Sequence, residues 1–154
     1  MLVITGSRLA RDHLERRAGF DAVMTTDFPN LEVLPSVEGR DDPDLIRALL
    51  PDILRNVPNL RGIYSSAAGN AGLLQCRERE GRRDDLVVIA HELTPVSRQA
   101  LTTGVFDAVI SQNAGHLVRS AVRLLKATAD RVPFDETQER IRIDIYLQDN
   151  MPPD

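Results

Sequence analysis

At 154 residues the chain is long enough for one domain with a substantial core and too short for two. With 42% hydrophobic residues, 27% charged residues and a net charge of −4, it has the composition of a globular protein and lacks the basic footprint of a nucleic-acid binder. No apolar run approaches the ~20 residues of a membrane span, the opening MLVITGSRLARDH becomes charged too early for a signal peptide, and the single Cys76 leaves no disulfide framework or metal-ligand pair; the expected compartment is the cytoplasm.

Strand and helix signals alternate along the chain. Leu2–Thr5 is a short apolar run closed by Gly6-Ser7. A helix follows from about Arg11 to Met24, with Leu14, Ala18, Phe20 and Val23 as its inner positions. The turn Phe28-Pro29-Asn30 introduces a second strand, Leu31–Val37. Asp42 and Pro43 read as N-cap and first helical residue of a helix reaching Asn56. Its core side is Leu45, Ala48, Leu49, Ile53 and Leu54, and Pro51 either kinks it or divides it in two. Gly62-Ile63-Tyr64 is a brief third strand, followed by a loop of small residues and a helix from Asn70 to Glu80 that Gly81 stops.

Leu86–Ala90 is an unbroken apolar run, the pattern of a strand covered on both faces in a parallel sheet. It leads straight into His91-Glu92 and then Thr94-Pro95, a good N-cap and first-turn pair, for a helix ending at Gly104. Asp107–Ser111 is the fifth strand. Leu117, Val118, Ala121, Val122, Leu124 and Leu125 make the apolar stripe of the next helix. Finally Ile141, Ile143, Ile145 and Leu147 alternate with polar neighbours, which marks a strand at a sheet edge with one wetter face. Successive β-α units of this length require right-handed crossovers and a mostly parallel sheet. The fold class is therefore α/β, three-layer αβα.

Each strand ends in a polar cluster: Gly6-Ser7, Arg40-Asp41, Ser65-Ser66, His91-Glu92 and Gln112-Asn113. In a doubly wound sheet these ends share one edge and can converge on one cleft; equally, loops are polar and several of these residues serve as helix caps. Enzyme motifs are missing. There is no phosphate-binding glycine loop, and Ser65-Ser66-Ala67-Ala68-Gly69 is not the elbow of an α/β hydrolase. A Ser66–His91–Glu92 triad is set aside because adjacent strand residues point to opposite faces. His13 and His116 lie on charged helix faces and are expected to be solvated, while Cys76 reads as a packed small hydrophobe. Glu92 beside a helix N-terminus is stabilised by the dipole whatever its role. It is also the acceptor a polyol needs, with Arg16 as a planar donor fork and Gln112 as a mixed donor and acceptor.

Taken in order, Gly6-Ser7, Arg16-Arg17-Ala18-Gly19-Phe20, Gly62-Ile63-Tyr64 with Gly69-Asn70-Ala71-Gly72, His91-Glu92-Leu93-Thr94 and Asp107–Gln112 resemble the lactose-repressor (LacI/GalR) family. The likeness is to its effector domain, of periplasmic-binding-protein type I-like fold, and it extends over the whole chain to Tyr146–Pro152. It implies a two-lobed receptor for a sugar or related polyol, of which this chain is the C-terminal lobe (residues 1–112 and 140–154). Residues 113–139 would belong to the absent N-terminal lobe, so that the apolar stripe from Leu117 to Leu125 must pack on its own lobe or on another copy.

By that resemblance Arg16 clamps hydroxyls, Glu92 stands at the acidic effector position and Gln112 at the hinge glutamine. Ser66 stands where many members have asparagine, and His91 replaces an aromatic. The resemblance implies no catalytic residue, metal or cofactor, a homodimer, and DNA bound only through the absent N-terminal headpiece. The main expectation is thus the effector-binding part of a DNA-binding regulator. The alternative is a periplasmic sugar receptor of a transport system, which shares the fold, and a small α/β hydrolase is a third class.

Overall fold

The structure is a computed structural model describing residues 1–80 and 85–153. Its strands are β1 (Leu2–Thr5), β2 (Val37–Glu38), β3 (Gly62–Ser65), β4 (Val87–His91), β5 (Ala108–Gln112) and β6 (Ile143–Tyr146). Its helices are α1 (Arg11–Asp27), α2 (Pro43–Asn56), α3 (Asn70–Arg79), α4 (Pro95–Thr102) and α5 (Ala114–Asp130). One sheet runs in the order β2-β1-β3-β4-β5-β6. Its first five strands are parallel and β6 closes the edge antiparallel to β5, with Gln112 opposite Ile143. The α/β class with a mostly parallel sheet holds.

The helix starts follow the local chemistry. Asp42 accepts hydrogen bonds from the Asp44 and Leu45 amides at 2.8 and 3.3 Å, with Pro43 at the first position. Thr94 and Ser97 form a reciprocal capping box at the head of α4. The α3 helix ends at Arg79, with Glu80 as its C-cap; the expected stop at Gly81 lies outside the described residues. Pro51 neither divides α2 nor ends it, since the helix is continuous to Asn56.

The core lies between one sheet face and α2, α3 and α4, where Leu2, Ile4, Ile63, Val88, Ala90 and Val109 meet Ile46, Leu50, Leu73 and Leu101. Gly72 is required there: a Cβ on it would fall 1.9 Å from the Pro43 carbonyl oxygen, so only glycine lets α3 lie this close to α2.

Five expectations about buried faces and strand extent are corrected. On α2 the buried residues are Ile46, Leu50 and Leu54, whereas Leu49 is exposed and Ala48 too. The stripe turns toward Ile46 because Gly39 and Gly69, both without Cβ, leave the hollow its side chain fills. On α1 Leu14 and Val23 are exposed and so is Ala18; the helix meets the second sheet face through Met24 and through Phe20, whose ring stacks on Tyr64.

The second strand is only two residues long, as Pro35 has no amide to give the ladder. The central strand is not covered on both faces: Val88 and Ala90 are fully buried, but Val87 is 46% exposed because α1 shields only part of the second face. On β6 the apolar side is the wetter one. Ile143 and Ile145 are exposed, while Tyr146 packs against the core.

The α5 helix stands apart. Among the described residues it makes no extended contact with the sheet or the other helices. Its inner side is held by the returning chain: Arg123 pairs with Glu139 at 2.8 Å, His116 Nε2 lies 3.2 Å from the Gln138 carbonyl, and the Arg142 amide donates to His116 Nδ1. His116 is thus a bridging group, not the solvated one expected. The opposite side of α5 is bare, with Leu117, Val118, Val122 and Leu125 all exposed; within this chain, the expected burial on its own lobe does not occur.

Candidate functional site

The carboxyl ends of the parallel strands open into a cavity of about 500 Å³. Its polar wall carries Arg16, Asp41, His91 and Glu92, with His13 alongside, and its apolar wall is built from Pro43, Ala67, Ala68, Ala71 and Val96. This is where open α/β sheets place their ligands.

Glu92 does not continue β4. It takes a left-handed conformation with φ of 65°, a strained backbone for a residue with a Cβ. Its amide donates to the Ile110 carbonyl at 2.8 Å, and Ser111 Oγ donates to Oε2 at 3.3 Å. The turn lifts the carboxylate out of the sheet toward α1. There Arg16 donates through Nη1 to the Ser66 carbonyl at 2.7 Å and brings Nη2 to 3.9 Å from Glu92 Oε1. The two side chains are 20% and 46% exposed, so both remain reachable from the cavity.

His91 is buried at 7% exposure. Tyr64 Oη lies 2.7 Å from Nε2, Asn70 Nδ2 donates to the His91 carbonyl at 3.1 Å, and Ser65 Oγ in turn donates to Asn70 Oδ1. Nδ1 is buried without a hydrogen-bond partner among the described residues. Burial, reinforced by the positive charge of Arg16 and by His13, pushes the imidazole pKa down to about 4. His91 is therefore neutral at pH 7. Burial also raises the Tyr64 phenol, so the pair carries no charge into the cavity floor.

The structure brings Arg16, His91 and Glu92 together on this wall and leaves two expected residues off it. Ser66 is fully buried and its hydroxyl donates to the Ile4 carbonyl at 3.2 Å. Its carbonyl anchors Arg16. Gln112 sits exposed at the end of β5, outside the cavity lining. The triad reading has no geometry, because the Ser66 hydroxyl is bound to Ile4 and His91 Nε2 to Tyr64.

Two ionisable cavity residues escaped the sequence reading as site residues. Asp41 was visible only as part of one of five polar strand ends, and His13 was expected to be solvated; its side chain is in fact 11% exposed. Among the described residues no cluster of His, Cys, Asp and Glu could hold a metal ion.

Residues 1–131 match the family described as periplasmic binding protein domain. No curated protein matches the sequence. Among solved structures, a sugar-binding protein of a sugar ABC transporter from Bacillus halodurans superposes with a TM-score of 0.84 at 23% identity, over 97% of this chain and 55% of that one. GanP, a glucose-galactose binding protein from Geobacillus stearothermophilus, gives 0.87 at 17% identity, over 99% and 54%. A carbohydrate transporter solute binding protein from Agrobacterium radiobacter, in complex with D-arabinose, gives 0.84 at 18% identity, over 97% and 51%. The chain spans about half the length of the structures it matches.

Proposed function

The chain belongs to the periplasmic binding protein domain family, and from that premise we propose that it is the C-terminal lobe of a two-lobed receptor that binds a sugar or related polyol without chemical change. The observation that carries this is the Arg16–Glu92 pair. A planar donor and a carboxylate acceptor stand 3.9 Å apart at a cavity with an aliphatic wall, each anchored from behind. Hydroxyl groups need such mixed polar partners on one side and an apolar surface on the other. In this reading residues 113–139 belong to the second lobe. The bare face of α5 and the half-length match support that division.

Of the two kinds of parent that share the fold, a transport receptor has the better support, since the solved proteins named above are described as transporter or sugar-binding proteins. The regulator reading keeps the motif order and the Asn150-Met151-Pro152 ending in its favour; it further requires a homodimer, a DNA-binding headpiece and a cytoplasmic location. The coding sequence upstream of Met1 separates them, by an export signal or by a helix-turn-helix.

Calorimetry of the full-length protein against pentoses, hexoses and polyols tests the site. Arg16→Ala and Glu92→Ala should each weaken binding at least tenfold, the loss of a hydrogen bond to a charged group. Tight binding retained in both variants would sink the assignment. The isolated lobe should bind more weakly than the whole, because half of the cleft is then open to water.

A further inference from the structure

We propose that His13 and Asp41 form a second ligand-binding arm of the cleft, a donor and an acceptor beside Arg16 and Glu92, and that this arm confines the cleft to uncharged hydroxylated ligands. The proposal rests on the sugar-receptor reading and adds two residues and a charge rule to it.

The geometry begins at Gly6. A Cβ on Gly6 would fall 2.5 Å from both Asp41 Oδ1 and His13 Cε1, so glycine alone lets the imidazole and the carboxylate close over the end of β1. Both residues line the cavity. The Ser7 amide donates to His13 Nδ1 at 3.0 Å. Nδ1 also lies 3.3 Å from the Ser7 carbonyl; with Nδ1 accepting the shorter contact from the amide, the proton of the neutral ring sits on Nε2. Nε2 has no hydrogen-bond partner in the protein among the described residues; the nearest carboxylate oxygen, Asp12 Oδ2, is 3.7 Å away. His13 thus offers one fixed donor.

Asp41 is oriented just as firmly. Its φ of 56° places it in the left-handed region, and Oδ1 accepts the Ala68 amide at 3.0 Å. No partner holds Oδ2 among the described residues, which leaves an acceptor for the ligand. His13 and Arg16 are three residues apart on α1 and share a face, so the two arms address neighbouring groups of one ligand.

The charge rule follows from counting the ionised groups on the wall. The wall sets two carboxylates, Asp41 and Glu92, against the single guanidinium of Arg16, while His91 is neutral. The guanidinium charge is already balanced by Glu92 at 3.9 Å. A carboxylate or phosphate on the ligand would meet an uncompensated negative charge, and closure over the cleft would increase that cost by removing water.

The test is calorimetry of the full-length protein with D-galactose and D-arabinose as probes and D-galacturonate as the charged comparison. Asp41→Asn suits it, because asparagine tolerates the left-handed conformation and retains an oxygen for the Ala68 amide. His13→Gln keeps a donor and His13→Ala removes it. The expected result is binding of a neutral sugar but not of the uronate. A loss of about tenfold in His13→Ala and Asp41→Asn, with partial recovery in His13→Gln and weaker rejection of the uronate in Asp41→Asn, completes it. Wild-type sugar affinity in both Asp41→Asn and His13→Ala overturns the second arm and leaves the receptor reading standing. Failure of every neutral sugar to bind the wild-type protein overturns both.

Discussion

The guanidinium of Arg16 faces the carboxylate of Glu92 at 3.9 Å, beyond hydrogen-bonding distance. Each is held from behind, by the Ser66 carbonyl at 2.7 Å and the Ser111 hydroxyl at 3.3 Å. A pair pinned in this way keeps its inner lone pairs and protons for a third party. Were the two groups present for stability alone, a direct contact would serve better.

The left-handed backbone at Glu92, with φ of 65°, separates stability from binding. Glycine adopts that conformation freely, whereas a side chain costs on the order of 1 kcal/mol there. Glu92→Gly is therefore expected to unfold at the same or a higher urea concentration than the parent while losing sugar affinity at least tenfold. A clear drop in the unfolding midpoint would show that the carboxylate is part of the scaffold.

Ser66 gives the converse. Its hydroxyl is fully buried against the Ile4 carbonyl, which also receives the Ser66 amide at 2.9 Å. Ser66→Ala should lower stability by about 1 kcal/mol and leave sugar affinity within twofold of the parent. Chemical denaturation and calorimetry on one preparation read both quantities. A selective loss of affinity would restore Ser66 to the ligand.

What the sequence could disclose ended where contacts between distant segments began. Caps are local, so Asp42-Pro43 and Thr94-Pro95 located the starts of α2 and α4 to the residue. Parallel topology places the strand ends on one edge, which marked where a cleft could form and left open whether those residues were caps. The buried faces were another matter. Ile46 turns inward because two glycines, one before α2 and one after β3, happen to flank it, and no periodicity within the helix records that. His13 and Asp41 meet only over Gly6, so neither advertised a neighbour in its own stretch.

Acid sensitivity should trace to His91. Its pKa falls from an ordinary value near 6.5 to about 4 in the folded protein. Between those values the unfolded chain binds the proton and the folded one does not, so stability is fully present above about pH 6.5 and declines as the pH falls toward 4. The groups facing the ring, Arg16 and His13 from α1, push it in the same direction. His91→Phe should flatten the stability profile across this window, as followed by urea midpoints from pH 7 to pH 4. An unchanged slope would mean that other groups govern it.

The bare side of α5 should make the isolated chain self-associate. Leu125 is 71% exposed and Val118 62%, and apolar side chains clustered on one helix face promote contact between copies. Replacing both with serine is expected to shift the chain toward monomer in light scattering at high concentration, with stability changed by less than about 0.5 kcal/mol. A large loss of stability would instead show that these side chains pack within the chain.

The passage out to α5 and the return from it run side by side. Gln112 pairs with Ile143, the Asn113 amide donates to the Arg142 carbonyl at 2.9 Å, and the Arg142 amide donates to His116 Nδ1 at 3.3 Å. Two chains bonded edge to edge form a flat strap and not a single thread. A strap flexes across its thin dimension and resists twisting about its length, because twist would shear the bonds between its edges. Whatever α5 carries is therefore steered by two chains at once, and a change at one edge of the strap is felt at the other.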